Sequence, residues 1–218
     1  MPLVYHEWIN DNLQLGLWHI TESVDDLISK LFLNKEEFET LNSFGCDSRR
    51  KQWLSYRALI RNLVESDYIY RIFYDDNNKP FLVNPQRSIS ITHCNTYSAV
   101  LISPNMTLAH GLDIEPVHPK ILKITDKFMN PDEAADWEKS GDAQKAVAYW
   151  SFKEAIFKAY GKRYVTLKGN IAIEPFNLND AEMRGFVKLK SKQRAYKLNL
   201  RSYNDLMIAI AQEDRDSV

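Results

Sequence analysis

The sequence predicts an α+β fold made of two halves. Strand-like and helix-like segments fall in blocks along the 218 residues and do not alternate as βαβ units would. Each half supplies helices and a small set of strands, with a junction near residues 103–107. Hydrophobic residues make up 44% of the chain, which is ample for a core. We therefore predict two domains, residues 1–105 and 106–218, each with a small antiparallel sheet and packed helices.

The first half is predicted to hold a block of helices between strands. Residues 13–20 (LQLGLWHI) have the apolar character of a strand, and the helix that follows begins with a cap at Thr21 or Ser23. Two longer helices come next, and strands then flank the turn-forming segment DDNNKP. The predicted ranges are 34–44 and 47–64 for the helices, and 68–83, 88–94 and 98–103 for the strands.

The second half is predicted to begin and end in strands, with helices between them. The segment LAHGLDIEPV, residues 108–117, is the first strand. A helical pattern follows at residues 121–140, with a break at Pro131, because proline does not continue a helix. The next helix, residues 142–160, ends at Gly161. The tail, from IAIEPF to LMIAIAQ, is mostly strand-like.

The overall composition argues against several classes of protein. The formal net charge is −1, so no global electrostatic field favours nucleic acid or an anionic membrane. The two cysteines lack metal-ligand spacing, and no apolar run approaches the ~18 residues of a membrane span. The chain also lacks the glycine-rich motifs that cradle phosphates. We therefore expect a cytoplasmic protein without a nucleic-acid or membrane partner.

Two carboxylates stand two positions apart in the segment GLDIE. On a strand, Asp113 and Glu115 lie on one face, and Leu112 and Ile114 lie on the other. The Cα atoms of the two acidic residues are then about 6.5–7 Å apart, so their side chains can converge on one cation. Mg²⁺ is usually held by one or two carboxylates, waters and substrate phosphate oxygens. The alternative is a pair of solvated charges at the end of a strand.

A third carboxylate falls on a helical stripe further along the chain. Trp150, Glu154 and Lys158 are spaced at i, i+4 and i+8, so they share one face of the helix. The alternative is an ordinary surface pair of glutamate and lysine, worth about 0.2–0.5 kcal/mol. The tryptophan on the same stripe favours a buried or contacted face, where a carboxylate and an ammonium need partners. A metal beside Glu154 and a phosphate beside Lys158 would supply them.

Basic residues form two further candidate groups. Arg50, Arg57 and Arg61 lie on one stripe of the predicted helix, and guanidinium groups suit phosphate oxygens. In the second group, Lys79 follows a turn and His93 closes a strand. The alternatives are a solvated basic helix face for the arginines and a structural histidine for His93.

Together these residues predict a reaction class. Three carboxylates suit a divalent cation, and the lysines, arginines and histidine suit several phosphates. Cys94 adjoins His93, but adjacent strand residues point to opposite faces, so we reject a thiol nucleophile. The combination predicts Mg²⁺-assisted chemistry on a phosphate ester or anhydride, with the attacking group brought by water or by a second molecule.

At these residues the sequence resembles the 4′-phosphopantetheinyl transferase superfamily. The family's first hallmark is a G-[IV]-D-[IV]-E strand, matched here by GLDIE at residues 111–115. The second is W-[ST]-x-K-E-[AS]-x-x-K-x-x-G, matched by WSFKEAIFKAYG at residues 150–161. The two motifs at this separation are highly specific as a pair, whereas either one alone would be a weak signal.

Three shorter matches extend the resemblance over residues 49–165. An aromatic and an acidic residue of the family's intervening helix are matched by Phe128 and Glu133, and an upstream K-P pair by Lys79 and Pro80. The family's N-[IL]-S-H-S segment stands here as SITHC at residues 90–94, with serine, threonine and cysteine as departures. The threonine keeps a hydroxyl group at its position.

The resemblance implies a fold and a set of ligand contacts. A chain of 218 residues is similar to the long, surfactin-synthetase-activating type, a monomeric pseudo-dimer of two similar α+β halves related by pseudo-twofold symmetry. Coenzyme A would bind between the halves. The implied ligands of Mg²⁺, with Mn²⁺ as the alternative, are Asp113, Glu115 and Glu154. The implied coenzyme A contacts are Arg50, Arg57, Lys79, Pro80, Thr92, His93, Lys153 and Lys158.

The resemblance also implies an activity: transfer of 4′-phosphopantetheine from coenzyme A to a serine of an apo acyl, peptidyl or aryl carrier protein. Glu154 would be the base, with Asp113 and Lys158 completing the catalytic group, and 3′,5′-ADP would leave. Such carriers are acidic, so the basic run at residues 184–201 is a candidate docking surface, and the alternative is a solvated pair of strands. The alternatives are a coenzyme A-binding protein that has lost catalysis and, less in keeping with the charge, a nucleic-acid-binding module.

Overall fold

The computed structural model describes residues 2–64, 70–162, 164–190 and 192–215. The fold is α+β with two antiparallel sheets, which confirms the predicted class. The chain divides into two compact units. The N-terminal unit is Met1–Phe73 with Pro80–Met106, and the C-terminal unit is Tyr74–Lys79 with Thr107–Val218. A domain boundary between residues 105 and 106, and a pseudo-twofold relation, remain predictions.

The N-terminal unit is built on a six-stranded sheet. Its strand order is β1-β2-β6-β5-β4-β3. The strands are β1 (Leu3–Asn10), β2 (Leu13–His19), β3 (Ile72–Tyr74), β4 (Pro80–Val83), β5 (Gln86–His93) and β6 (Tyr97–Ser103). The predicted pair of strands ending near His93 and beginning near Ser98 is confirmed, because β5 and β6 pair in antiparallel register. Residues 68 and 69 of the predicted strand at 68–83 lie outside the described residues.

Three helices accompany this sheet. They are α1 (Val24–Ser29), α2 (Lys35–Ser43) and α3 (Asp47–Val64). Ser23 and Asn34 begin α1 and α2 with capping boxes, in which each cap side chain and the acidic residue three positions later satisfy each other's backbone amides. Helix α3 buries a long apolar face against the sheet, and Leu54, Leu59 and Ile60 are fully buried in the core.

The C-terminal unit is built on a five-stranded sheet with the order β7-β11-β10-β9-β8. The strands are β7 (His110–Pro116), β8 (Ile171–Ile173), β9 (Met183–Lys188), β10 (Gln193–Tyr203) and β11 (Leu206–Glu213). Its helices are α4 (Thr125–Phe128), α5 (Pro131–Trp137), α6 (Ala143–Tyr160) and α7 (Leu167–Asn170), with a 3₁₀ turn at Pro119–Lys123. Helix α6 carries the core of this unit, with Phe152 and Ile156 fully buried.

The helical stretch predicted at residues 121–140 is more broken than its sequence pattern indicates. The predicted break at Pro131 is confirmed: α5 begins at this residue, and Asn130 caps it. A second break separates the 3₁₀ turn from the single-turn α4 at Ile124. The predicted end of α6 at Gly161 is confirmed, because this glycine has a φ of 68° and closes the helix in the left-handed conformation.

No described helix combines the length and the apolar character needed to cross a membrane. Cys46 and Cys94 are both free thiols.

Candidate active site

Strand β7 presents two of the predicted acidic residues at an edge of the C-terminal sheet. Among the described strands it pairs with β11, where Asp113 lies opposite Ala209 and Glu115 lies opposite Met207. Asp113 is buried and Glu115 is half-buried. A buried carboxylate is costly unless hydrogen bonds or a counter-charge accompany it. Helix α6, which packs on this strand, supplies both.

Helix α6 comes very close to β7 because residue 111 is glycine. A Cβ atom on Gly111 would lie 1.9 Å from the carbonyl oxygen of Ala155 and 2.6 Å from the amide nitrogen of Ala159. At this separation the ammonium of Lys158 donates hydrogen bonds to a β7 carbonyl oxygen at 2.9 Å and to Oδ1 of Asp113 at 2.8 Å. The first glycine of GLDIE therefore lets the lysine of the second motif contact the aspartate of the first.

Trp150 holds the second strand carboxylate. Its indole nitrogen donates a hydrogen bond to Oε1 of Glu115 at 3.2 Å, and its ring packs edge-on against Phe128 with the centroids 5.2 Å apart. The helical stripe predicted for Trp150, Glu154 and Lys158 thus faces β7. An aromatic residue occurs on this charged stripe because it orients an acidic side chain of the neighbouring strand.

Burial and mutual repulsion raise the pKa of two carboxyl groups. The pKa of Glu115 is raised by burial first and then by the charge of Asp113, against the hydrogen bond from Trp150 and the charge of Lys158. The pKa of Glu154 is raised by burial and by Asp113, and Lys158 opposes the rise. Groups that shift one another's pKa values in this way are close enough to interact electrostatically. The structure therefore brings together Asp113, Glu115, Glu154 and Lys158, which we call the acidic cluster.

The acidic cluster offers a metal the correct kind of donor atom, but not a preformed site. Within the described ranges, no group of three or more His, Cys, Asp or Glu side chains is arranged to hold a metal ion. The Lys158 ammonium is the cation that contacts Asp113 in this conformation. Carboxylate oxygens are the donors that Mg²⁺ prefers, so the chemistry of the donor set fits. Gathering three of them on one ion requires side chains to rotate.

Lys153 has a different environment from its neighbour Glu154. Its side chain has no exposed surface and forms an ion pair with Glu133 at 2.8 Å. The same ammonium donates hydrogen bonds to the carbonyl oxygens of Leu167 at 2.8 Å and Ile171 at 2.6 Å. The structure therefore does not bring Lys153 to the acidic cluster, and its contact with coenzyme A stays a prediction. Lys153 ties α6 to α5 and to the start of β8.

Glu133 completes this buried connection. Its Oε1 accepts a hydrogen bond from the amide of Ile173 at 2.8 Å, and its Oε2 accepts one from the amide of Asn130 at 2.8 Å. Burial raises the pKa of Glu133 and lowers that of Lys153, and the attraction between the two opposes both shifts. The acidic residue matched in the intervening helix is therefore a structural partner of α6.

The N-terminal unit brings an arginine to His93 that the sequence analysis missed. Arg49, at the start of α3, contacts the His93 ring through its guanidinium group. Arg50 pairs instead with Asp47 at 3.0 Å. Arg57 lies eight residues after Arg49, about 12 Å along the helix at 1.5 Å per residue. The helix that carries these arginines was predicted correctly, but the sequence does not reveal which arginine faces the end of β5.

The remaining predicted contacts are placed as follows. Thr92 is buried in β5, next to the half-buried His93, and Pro80 begins β4. Lys79 belongs to the C-terminal unit, where its ammonium donates hydrogen bonds to the carbonyl oxygens of Ala159 at 3.1 Å and His110 at 3.4 Å. Burial lowers its pKa, which the charges of Asp75 and Glu213 oppose. Lys79 thus joins the end of α6 to the start of β7.

A comparison with protein families gives a match over the part of the chain that carries the acidic cluster. Residues 109–211 match the family model described as the 4′-phosphopantetheinyl transferase superfamily. No curated protein matches the chain in a sequence search. The matched residues extend from the start of β7 to within β11 and include Asp113, Glu115, Glu154 and Lys158. Residues 109–211 are therefore similar to the 4′-phosphopantetheinyl transferase superfamily.

Proposed function

We propose that the protein transfers the 4′-phosphopantetheine arm of coenzyme A to a serine hydroxyl of an apo carrier protein. The observation that carries this proposal is the acidic cluster, which joins both sequence motifs within the domain matched to the superfamily. The resemblance to the long, surfactin-synthetase-activating type favours that type and a monomer, and we expect the protein to act in the cytoplasm. The carrier would be an acyl, peptidyl or aryl carrier domain.

The proposed reaction exchanges one phosphorus–oxygen bond for another. The serine oxygen attacks the phosphorus that bears the pantetheine arm, and the bond from this phosphorus to the bridging pyrophosphate oxygen breaks. The leaving group is 3′,5′-ADP, and the serine proton passes to a base. Because the nucleophile belongs to the carrier, the protein itself needs no serine or cysteine nucleophile. Its tasks are to position the two substrates, accept the proton and stabilise negative charge.

Glu154 is the proposed base. A carboxylate beside the incoming hydroxyl can accept its proton, and Glu154 belongs to the acidic cluster, within electrostatic reach of Asp113 and Lys158. Lys158 would share its positive charge between Asp113 and the phosphates of the substrate. Asp113, Glu115 and Glu154 would hold Mg²⁺, with Mn²⁺ as the alternative, and the ion supplies charge stabilisation for the pyrophosphate when bound.

The nucleotide contacts are proposed on residue type and placement. Arg49 and His93 offer cationic and hydrogen-bonding groups that suit a phosphate, and Thr92, which is buried in β5, is proposed as a contact because its position matches the family's motif. Lys79 is placed at the junction of α6 and β7. The carrier would dock on basic residues of β9 and β10, where Arg184 and other cations of the run at 184–201 are exposed. Residue 191 of this run lies outside the described residues.

The direct test is intact-mass measurement of carriers. A panel of apo acyl, peptidyl and aryl carrier proteins is incubated with the protein, coenzyme A and MgCl₂. We expect at least one carrier to gain the mass of one phosphopantetheine, and a serine-to-alanine version of that carrier to gain none. If coenzyme A binds but no carrier in the panel changes mass, the transferase proposal is wrong and the protein is a coenzyme A-binding protein without this activity.

A further inference from the structure

The N-terminal unit contains a cleft that the proposed transferase reaction does not use. It is open to solvent and lies between the α1–α2 connection, α2, α3 and the chain at residues 70–71. Arg49, Arg50 and His93 are not among the residues that line it. The lining residues with polar or aromatic side chains are Phe32, Glu37, Arg57, Arg61, Tyr70 and Arg71.

The charges that line this cleft do not balance. Arg57, Arg61 and Arg71 contribute three guanidinium groups, and Glu37 contributes one carboxylate. That carboxylate lies 3.7 Å from Nε of Arg57 and 3.5 Å from Nε of Arg71, both longer than good hydrogen bonds. It also accepts a hydrogen bond from the amide of Asn34 as part of the α2 capping box. Among the lining residues that the structure describes, the surplus is therefore about two positive charges.

Arg57 is held rigidly below the cleft. Its guanidinium group stacks on the ring of Trp53, 3.4 Å from the centroid, and donates a hydrogen bond to the Tyr56 hydroxyl at 2.6 Å. The residue is only 6% exposed, and its Nε makes no hydrogen bond within the described part of the chain. The hydroxyl of Tyr70 donates to the Arg57 carbonyl oxygen and closes the wall beside it. A buried cation needs an anion nearby, and the Glu37 carboxylate that serves Arg57 is shared with Arg71.

Arg61 is also fixed before any ligand binds. Its guanidinium group donates a hydrogen bond at 2.7 Å to the carbonyl oxygen of Lys30 at the end of α1 and lies over the ring of Phe32, 4.5 Å from the centroid. Arg71 is about one-third exposed. Side chains that are already ordered lose little conformational entropy when a ligand arrives, so they favour binding.

We propose that this cleft binds a phosphoryl group as its dianion. Two negative charges match the surplus of two positive charges, and guanidinium groups bind phosphate oxygens through paired hydrogen bonds. The cleft therefore suits inorganic phosphate or a small phosphate monoester. The proposal assigns Arg57 to this site instead of coenzyme A, and it does not depend on the transferase reaction.

Equilibrium dialysis of the full-length protein against radiolabelled inorganic phosphate, at constant ionic strength in chloride, tests the site. We expect one phosphate per chain, with affinity falling about 10- to 100-fold in Arg71→Gln and in Arg61→Gln, because each variant loses a charged hydrogen-bonding partner. Lys120→Gln, which removes an exposed cation of the C-terminal unit, is the control and should leave the affinity unchanged. Near-UV circular dichroism checks the fold of each variant.

A variant that is expected to increase the affinity for phosphate distinguishes a binding site from a purely structural cluster. Glu37→Gln keeps the capping interaction with Asn34 but removes the carboxylate from the cleft, so it should bind phosphate more tightly. Lys158→Gln removes the lysine of the acidic cluster and should leave phosphate binding unchanged. No saturable binding to the wild-type protein would overturn the proposal. So would equal affinity in Arg71→Gln and Glu37→Gln, or binding that is lost in Lys158→Gln alone.

Competition identifies the source of the phosphoryl group. If sn-glycerol 3-phosphate displaces the labelled phosphate, the site accepts monoesters. If it does not, the site takes inorganic phosphate, and either result supports a phosphoryl site.

Discussion

At the scale of single residues, the proposed chemistry depends on two carboxylates with different environments. Asp113 accepts a hydrogen bond from Lys158, whereas Glu154 has a pKa that is raised by burial and by the charge of Asp113. Glu154→Gln removes the proposed base, so we expect the rate of carrier modification to fall by about 10²- to 10⁴-fold. Asp113→Asn should lower the rate comparably by weakening cation binding. The measurement is carrier mass against time at saturating coenzyme A.

Glu182→Gln is the matched control, because Glu182 is an exposed glutamate of the same unit. Thermal melts should show that all three variants fold. Full activity in both Glu154→Gln and Asp113→Asn would contradict the roles assigned to the acidic cluster.

The sequence predicts the members of the acidic cluster better than it predicts their contacts. Strand alternation and helix spacing place Asp113 with Glu115 and Glu154 with Lys158, because both are local periodicities of the backbone. The Asp113–Lys158 contact joins residues 45 positions apart, so it follows from how α6 packs on β7. Arg49 was missed for the same reason. Local spacing groups the arginines of α3 but does not reveal how the helix is rotated against the sheet.

At the scale of elements, the packing of α6 on β7 depends on Gly111. In Gly111→Ala the added methyl group would meet the backbone of α6, which cannot move aside as a flexible side chain can. We expect a loss of about 1–3 kcal/mol in the free energy of unfolding. Carrier modification should slow as well, because Lys158 is carried away from Asp113.

Urea denaturation with and without the substitution measures this effect. Gly45→Ala is the control, since a Cβ atom at Gly45 has no neighbour within 4 Å. Equal unfolding free energies for Gly111→Ala and the wild-type protein would contradict the close approach of the helix.

The buried ion pair between Lys153 and Glu133 connects α6 to α5. Lys153→Met would leave the Glu133 carboxylate buried without its counter-charge, at a cost of about 3–5 kcal/mol in unfolding free energy. Adding Glu133→Gln should restore part of this loss, because glutamine is neutral and its carbonyl oxygen can still accept the bond from the Ile173 amide. The measurement is the urea unfolding free energy of the single and double variants. If Lys153→Met is as stable as the wild type, the pair has no structural role.

We expect the stability of the C-terminal unit to fall at acidic pH because of Asp136. Burial would raise its pKa, but hydrogen bonds from Lys145, Tyr149 and Lys139 outweigh burial and hold the pKa below its ordinary 3.8. A carboxyl group with a lower pKa in the folded state stabilises the fold above its unfolded pKa, and this stability is lost as the pH falls through the folded value. Asp136→Asn should therefore be destabilising at pH 7 and close to neutral at pH values below the folded-state pKa.

Urea unfolding midpoints measured from pH 7 to pH 2.5 test this prediction. Asp205→Asn, at an exposed turn of the same unit, is the control and should follow the wild-type curve. A constant difference between Asp136→Asn and the wild type at every pH would contradict the lowered pKa.

The block pattern of the sequence predicts the fold class at the scale of the whole molecule. The strands and most helices are marked by local signals, such as the caps Ser23 and Asn34 and the end at Gly161. The helical stretch at residues 121–140 is the main difference, because its apolar spacing suits a helix and gives no warning of the turn at Ile124. Strand order within each sheet depends on contacts that are distant in sequence and could not be predicted from local pattern.

The measurement that tests the central claim most directly compares two products of one reaction. The wild-type protein and Glu154→Gln are incubated side by side with coenzyme A, an apo carrier and MgCl₂, and again with excess EDTA. We predict that wild-type protein with Mg²⁺ produces phosphopantetheinylated carrier and 3′,5′-ADP in equal amounts. Glu154→Gln and the EDTA reactions should yield neither above background. Equal yields from the wild type and Glu154→Gln, or full wild-type activity in EDTA, would contradict the proposed roles of Glu154 and of the cation.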